Sequence, residues 1–209
     1  MHAPNLKLVF VRNKIVIEAI AAIFFITMII STIVTYELIL TSPELMKGIQ
    51  QVIGSARNCI TIPPAYSTSL YQFIFLNNIG HFWNPVRIWV WIPFVGAFSL
   101  GYELLLNAIV IGSVASFASA TRGAAYTISG LTPHGVIELP AFILEFAGLA
   151  CWHITMTRAI YSKLSGRSVD RPLFSEGIKD TIVLSLLSVA LFAVAAAVET
   201  YVTPRLLGV

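Results

Sequence analysis

Charged residues are scarce in this sequence. Asp, Glu, Lys and Arg make up 11% of its 209 residues, while apolar residues make up 57%. Soluble domains carry about 25% charged residues, so this composition excludes an ordinary soluble protein. The long apolar runs instead predict an all-α, polytopic transmembrane helix bundle that forms a single domain over residues 1–209.

Cysteine and aspartate are also rare. Cys59 and Cys151 are the two cysteines, and Cys151 lies inside an apolar run. A small buried thiol is therefore a better interpretation of Cys151 than a disulfide. The two aspartates, Asp170 and Asp180, lie in or beside a basic connection. This position does not favour Ser–His–Asp catalysis.

Motifs for phosphate and zinc chemistry are missing as well. The sequence has neither a glycine-rich phosphate loop nor the His-Glu-x-x-His motif of zinc proteases. The formal net charge is +3, and the basic residues cluster at the ends of apolar runs rather than in a patch that would bind nucleic acid. We therefore expect no cofactor, no metal and no nucleic-acid partner.

The apolar runs predict about five membrane spans. Basic clusters lie at residues 7–14 and 158–179, and the positive-inside rule places both in the cytoplasm. An even number of spans then separates the clusters, which puts the N-terminus inside and the C-terminus outside. A single kinked crossing over 88–120 fits this rule, although two crossings there stay open. The predicted parts are spans at about 15–36, 69–84, 88–120, 133–156 and 180–200, an outer segment 37–68 and a cytoplasmic basic connection 157–179.

The segment from Leu131 to Glu145 places three ionisable residues in an apolar run. His134 and Glu138 are four residues apart, so a helix carries them on one face, and Glu145 follows seven residues later on much the same stripe. Ionisable groups at bilayer depth usually face a bundle interior or a wet cavity. We expect Glu145 to lie deepest, without an identified partner, and Glu138→Ala to harm folding more than Glu145→Ala.

Prolines divide the same segment. Thr132 is a plausible N-cap and Pro133 suits the first helical turn, so a helix is predicted to begin there. Pro140 removes a backbone donor. The helix-break residues Pro133, Gly135 and Pro140 therefore predict either a simple kink or a broken helix, as in some transporter sites.

A polar intramembrane cluster follows from this arrangement. Glu199 ends the last span on the side where His134 and Glu138 lie, so these three can meet. Asn77 and Asn107 lie nearer mid-membrane and can donate across helices. The cluster either joins helices or surrounds a wet cavity. Metal binding is a weak alternative, because His-x-x-x-Glu offers two ligands. Of the other histidines, His81 and His153 lie toward the opposite face, and His2 is terminal. The predicted cluster is Asn77, Asn107, His134, Glu138, Glu145 and Glu199.

Four motifs together resemble the stage II sporulation protein M family. They are Phe75-Leu-Asn-Asn78, the spaced Gly101, Asn107 and Gly112, the Pro-His-Gly-x-x-Glu-Leu-Pro motif at residues 133–140, and Glu199-x-x-x-x-Pro204. The resemblance implies a multi-spanning protein without catalytic activity of its own. Within the family, the sporulation member is the membrane partner of cell-wall hydrolases.

Three functions are compatible with these observations. The leading one is a non-enzymatic scaffold or assembly component in the cell membrane, which contacts the lipid bilayer and either other membrane proteins or further copies of itself. The alternative is a permease or transporter subunit with a polar cavity around His134, Glu138 and Glu199, whose small-molecule substrate the sequence does not specify. The third is an intramembrane metal-dependent hydrolase.

Overall fold

The computed structural model describes residues 5–42, 44, 47, 48, 51 and 62–208, and its regular structure there is entirely helical. The all-α prediction is confirmed for these residues. Part of the predicted outer segment 37–68, including Cys59, lies outside them. The helices are α1 Leu6–Arg12, α2 Lys14–Thr41, α3 Thr68–Asn78, α4 Gly80–Trp83, a 3₁₀ turn Ile88–Trp91, α5 Val95–Arg122, α6 Ala124–Leu164, α7 Arg171–Tyr201 and α8 Thr203–Leu207.

Four helical segments in the described part of the chain are long and apolar enough to cross a membrane. They are α2, α5, α6, and α7 continued by α8 as Arg171–Leu207. The predicted span 69–84 is not among them. It consists of α3 and α4, and the 11 residues of α3 reach about 16 Å, roughly half of a hydrocarbon core.

Two predicted boundaries differ from the structure. The predicted span 88–120 is divided, because Phe94 with a φ of 66° separates the 3₁₀ turn from α5. The next helix begins at Ala124 rather than Pro133, after Gly123 with a φ of 88°. Thr132 is therefore inside α6 and is not its N-cap. The turn between α5 and α6 needs a positive φ, which glycine adopts at little cost, and this decides where α6 begins.

Helices α2 and α5 pack side by side in the same direction. Ser31 Oγ donates to the carbonyl of Ile109 at 2.8 Å, and Ser116 Oγ donates to the carbonyl of Thr32 at 2.7 Å. At Gly112 a Cβ atom would lie 2.4 Å from the Met28 carbonyl oxygen. The close approach of the two backbones therefore depends on glycine at this position.

Helices α6 and α7 form the antiparallel centre of the bundle. Gly177 on α7 lies against Thr155, and Gly148 on α6 lies against Ser185, so the residue numbers run in opposite directions. We call the end with Thr41, Arg122 and Tyr201 the upper end, and the end with Lys14, Leu164 and Arg171 the lower end. The core includes the fully buried side chains of Phe146 and Leu149 on α6, Leu184 and Phe192 on α7, and Phe24 on α2.

A buried carboxylate joins the chain's beginning to α7 at the lower end. Arg12 Nε and Asn13 Nδ2 both donate to Asp180 Oδ2, at 2.6 and 2.7 Å. Hydrogen bonding to Asp180 raises the pKa of the Arg12 guanidinium above its usual value, because the carboxylate stabilises the charged form. Cys151 is a free, buried thiol that donates to Asn13 Oδ1.

The segment from residue 62 to residue 94 runs down the bundle in short pieces. At the upper end the Tyr66 amide donates to the Thr200 carbonyl at 3.4 Å. In the lower half Trp152 Nε1, on α6, donates to the Trp91 carbonyl at 2.8 Å. Between these points, α3 and α4 pass the level of the sequence motif and place polar side chains opposite it.

Candidate functional site

A cavity of about 290 Å³ lies between the short helices α3 and α4 and the long helices α5, α6 and α7. Its apolar wall includes Leu139, Phe142 and Phe192. The polar side is contributed by all of these segments except α7 and by the loop after α4. The polar lining residues are Asn77, Asn78, His81, Arg87, Asn107, His134, Glu138 and Glu145.

The upper part of the site brings His134, Glu138 and Glu199 together. His134 Nε2 lies 3.8 Å from Glu138 Oε2, beyond hydrogen-bond distance. One ligand atom from each of the three residues lies within 4.8 Å of the other two. The helical spacing of His134 and Glu138 and the packing of α6 against α7 position the three side chains. An imidazole and two carboxylates at this separation can hold a metal ion.

Neighbouring side chains fix the orientation of this group. Asn78 Nδ2, on α3, donates to Glu138 Oε1 at 2.9 Å. His134 Nδ1 lies 3.3 Å from Thr203 Oγ1, and that hydroxyl donates to the Val198 carbonyl at 3.4 Å. One atom of Glu138 and one atom of His134 are thus held from outside the group.

The lower part of the site centres on His81. Its Nδ1 lies 3.0 Å from Glu145 Oε1 and its Nε2 lies 2.7 Å from Glu103 Oε2. Glu145 is fully buried and His81 is 3% exposed. A neutral imidazole has one N–H, so two hydrogen bonds to carboxylates require either the imidazolium or a protonated carboxyl group. The three groups therefore share at least one extra proton.

Each residue of the predicted cluster lies on or next to the cavity. Asn77 and Asn107 line it, but Asn107 Nδ2 donates to the Glu103 carbonyl of its own helix at 2.8 Å rather than across helices. Asn78, beside Asn77, makes the cross-helix bond. Arg87 Nη1 reaches up from the loop to the Asn77 carbonyl at 3.0 Å.

The description of Glu145 from sequence needs correction. Its side chain is fully buried in the protein, and it has His81 as a partner rather than none. The prediction that His81 lies toward the opposite face is also wrong, because His81 contacts Glu145 and lines the same cavity as His134 and Glu138. Sequence reasoning missed His81 and Glu103 as site residues, although Glu103 is an ionisable residue within a long apolar run, the same signal that identified Glu145.

The predicted helix-break residues lie within one continuous helix. Pro133, Gly135 and Pro140 are all inside α6, which extends over 41 residues. A kink at the prolines stays a prediction. Gly135 lines the cavity, and an added Cβ atom there meets nothing within 4 Å. This glycine therefore leaves room beside His134 and Glu138.

In the described part of the chain, four apolar helices are long enough to cross a membrane, and three of them (α5, α6 and α7) line a buried polar cavity. These features define an integral membrane protein of the helix-bundle class. The family model described as stage II sporulation protein M matches residues 20–204, and the chain belongs to this family. An uncharacterized protein of Methanocaldococcus jannaschii is 29% identical over 128 residues, which cover 59% of this chain and 68% of that protein. No solved structure matches the chain. The resemblance inferred from the four motifs is confirmed.

Proposed function

We propose that this protein is a multi-pass permease or transporter subunit of the cell membrane, without catalytic activity of its own, which binds a small polar solute in its cavity. The observation that carries the proposal is the cavity of about 290 Å³ at the level of the Pro-His-Gly-x-x-Glu-Leu-Pro motif. This volume is just below the usual range of ligand pockets, about 300–1,000 Å³, and suits an ion or a small metabolite.

The polarity of the cavity supports a wet interior. Ionisable residues from α4, from the loop after it and from α6 line the cavity, although apolar residues predominate around them in the sequence. Among the described residues, Glu145 Oε2 is buried without a hydrogen-bond partner. An unsatisfied polar group costs about 1–3 kcal/mol, and water or a polar solute in the cavity would remove that cost.

The direction of the helices supports five crossings with the N-terminus inside. Helices α2, α5 and α7 run from the lower to the upper end, and α6 returns. The segment 62–94 supplies the other return in short helices, and two-part crossings of this kind are a feature of transporter sites. With the basic lower end in the cytoplasm, Glu138 and Glu199 lie in the outer half of the membrane.

Cysteine accessibility tests this proposal with two neighbouring residues. In a variant whose Cys59 and Cys151 are replaced by serine, Gly135→Cys places a thiol in the cavity, and Val136→Cys places one on the same helix facing lipid. Val136 is 64% exposed on the outer surface of the bundle. We expect a charged, membrane-impermeant thiol reagent added from outside to modify Gly135→Cys at least about tenfold faster, because thiols react as thiolates in water.

The two variants are matched in depth and differ in the direction they face. If the reagent modified Gly135→Cys as slowly as it modifies the lipid-facing Val136→Cys, that result would contradict a wet cavity. Faster modification from the cytoplasmic side would contradict the proposed topology but retain the cavity. Denaturation in detergent followed by labelling checks that both thiols are chemically intact.

Assembly of a larger membrane complex is the second candidate function. It rests on family membership and on the exposure of α2. In the 18-residue apolar stretch of α2, 11% of the residues are buried, compared with 44% in the corresponding stretches of α6 and of the segment Arg171–Leu207. A partner membrane protein packed on α2 would cover this surface. A photo-crosslinker at Ile26 or Ile30, which are 58% and 56% exposed, would then give a discrete protein adduct in native membranes. Crosslinks to lipid alone would argue against this role.

A further inference from the structure

We propose that His134, Glu138 and Glu199 bind a divalent transition-metal cation, such as Zn²⁺, at the upper part of the cavity. This inference deepens the proposed function, since it names the class of solute that the cavity binds and rests on water reaching it. One ligand atom from each residue lies within 4.8 Å of the other two. Tetrahedral zinc sites with three protein ligands and one open position are a common arrangement.

The hydrogen bonds around His134 determine which ring nitrogen is available. Thr203 Oγ1 donates to the Val198 carbonyl, so its lone pairs can accept a hydrogen bond from the N–H group at His134 Nδ1. In the neutral imidazole, Nε2 then carries the lone pair and faces Glu138 Oε2 at 3.8 Å. Metal-binding histidines have this outer contact in most sites, because it fixes the tautomer and the ring orientation.

The carboxylates complete a group of acceptors without a donor among them. Asn78 engages Glu138 Oε1 and leaves Oε2 facing the imidazole. Glu199 contributes the second carboxylate from α7. When both carboxylates are ionised, the three electron-pair donors repel each other unless a proton or a cation lies between them. A mutual separation below 5 Å allows one ion to contact all three after small side-chain movements.

The donor set distinguishes between classes of cation. An imidazole nitrogen with two carboxylate oxygens suits Zn²⁺ and its neighbours in the first transition row. Calcium and magnesium prefer sites built entirely from oxygen. The open position left by three protein ligands allows water or an exchanging ligand, as transport of the ion requires.

The experiment uses full-length protein in detergent, purified through a tag without histidine and treated with a chelator. Zn²⁺ is added in a calorimetric titration, with Mg²⁺ as a parallel probe. We expect about one Zn²⁺ per chain, and affinity at least about tenfold weaker in His134→Gln and Glu199→Gln. Glu18→Gln is the matched control, because Glu18 is a 63% exposed carboxylate on α2, and its affinity should equal that of the wild type.

Thr203→Val tests the same proposal without removing a ligand. Loss of the hydroxyl frees the imidazole to change tautomer, so Zn²⁺ affinity should fall about 10–100-fold while thermal stability measured without metal changes little. This variant keeps the test valid if His134→Gln does not fold. Absence of saturable Zn²⁺ binding by the wild type would overturn the proposal. So would a Zn²⁺ affinity equal to that of the wild type in both Glu199→Gln and Thr203→Val. If Gly135→Cys is still labelled from outside in that case, the wet cavity is retained and the metal alone is excluded.

Discussion

At the scale of single residues, the pair of His81 and Glu145 is the strongest constraint on the site. Both side chains are almost completely buried, and His81 also contacts Glu103. Buried charges are stable only when they are paired and hydrogen-bonded. Glu138 is different, because its side chain is 29% exposed to the cavity and its partner Asn78 is neutral. The two glutamates of the same helix stripe therefore contribute to stability in different ways.

We expect Glu145→Ala to be more destabilising than Glu138→Ala, the reverse of the ranking from sequence. Removing one partner from a buried ion pair costs about 3–5 kcal/mol. Losing the hydrogen bond between Asn78 and Glu138 costs about 1.5–3 kcal/mol. Unfolding in mixed detergent micelles measures both variants, with Glu18→Ala as a control that should stay near the wild type. A larger loss for Glu138→Ala would contradict the pairing of Glu145 with His81.

Sequence reasoning at this scale found the stripe but not its partners. His134, Glu138 and Glu145 follow from helical periodicity, and Glu199 follows from its place at the end of a span. His81 and Glu103 are 22 residues apart across a turn, and their contact depends on how α4 and the 3₁₀ turn fold back. No local pattern encodes that distance.

At the scale of helices, glycine positions determine how closely the long helices approach. Gly112 of α5 lies against the backbone of α2, whereas Gly101, eleven residues earlier on the same helix, is exposed and an added Cβ atom meets nothing within 4 Å. Small residues at helix contacts allow backbones to pack closely in membranes. These two glycines therefore form a natural comparison.

We expect Gly112→Ala to destabilise the protein by about 1–3 kcal/mol, because its Cβ atom would overlap with the Met28 carbonyl oxygen and separate the helices. Gly101→Ala should be neutral or stabilising by up to about 1 kcal/mol through helix propensity. Thermal unfolding of the two variants in detergent makes the comparison. Equal effects would show that the contact between α2 and α5 tolerates a wider separation.

Helix boundaries were also hard to predict. Thr132 and Pro133 predicted a helix start, yet α6 already begins at Ala124. Proline suits an early turn but is also tolerated within transmembrane helices when neighbouring helices satisfy the freed groups. Gly123, with its positive φ, ends α5 and starts α6 without a longer loop.

At the scale of the whole molecule, the segment 62–94 determines the architecture. It is too fragmented to count as a spanning helix, but it connects the upper end near Thr200 with the lower half near Trp152. The five-crossing arrangement from the positive-inside rule requires such a return. Because the returning chain is broken, its polar side chains and Arg87 reach the cavity. The breaks in the segment 62–94 weaken the sequence pattern of a membrane span, and the same breaks let this segment form one wall of the site.

The central claim is that one wet cavity lies between α5 and α6 at bilayer depth. Spin labels on Asn107→Cys and Leu106→Cys test this claim most directly, because α5 forms the wall opposite Gly135. Both variants are made in the protein whose native cysteines are replaced by serine. Asn107 lines the cavity, and Leu106 is 41% exposed on the outer surface. We expect the label at Asn107 to collide mainly with a water-soluble nickel chelate and the label at Leu106 mainly with oxygen, which partitions into lipid. Preference for oxygen at both positions would contradict the cavity.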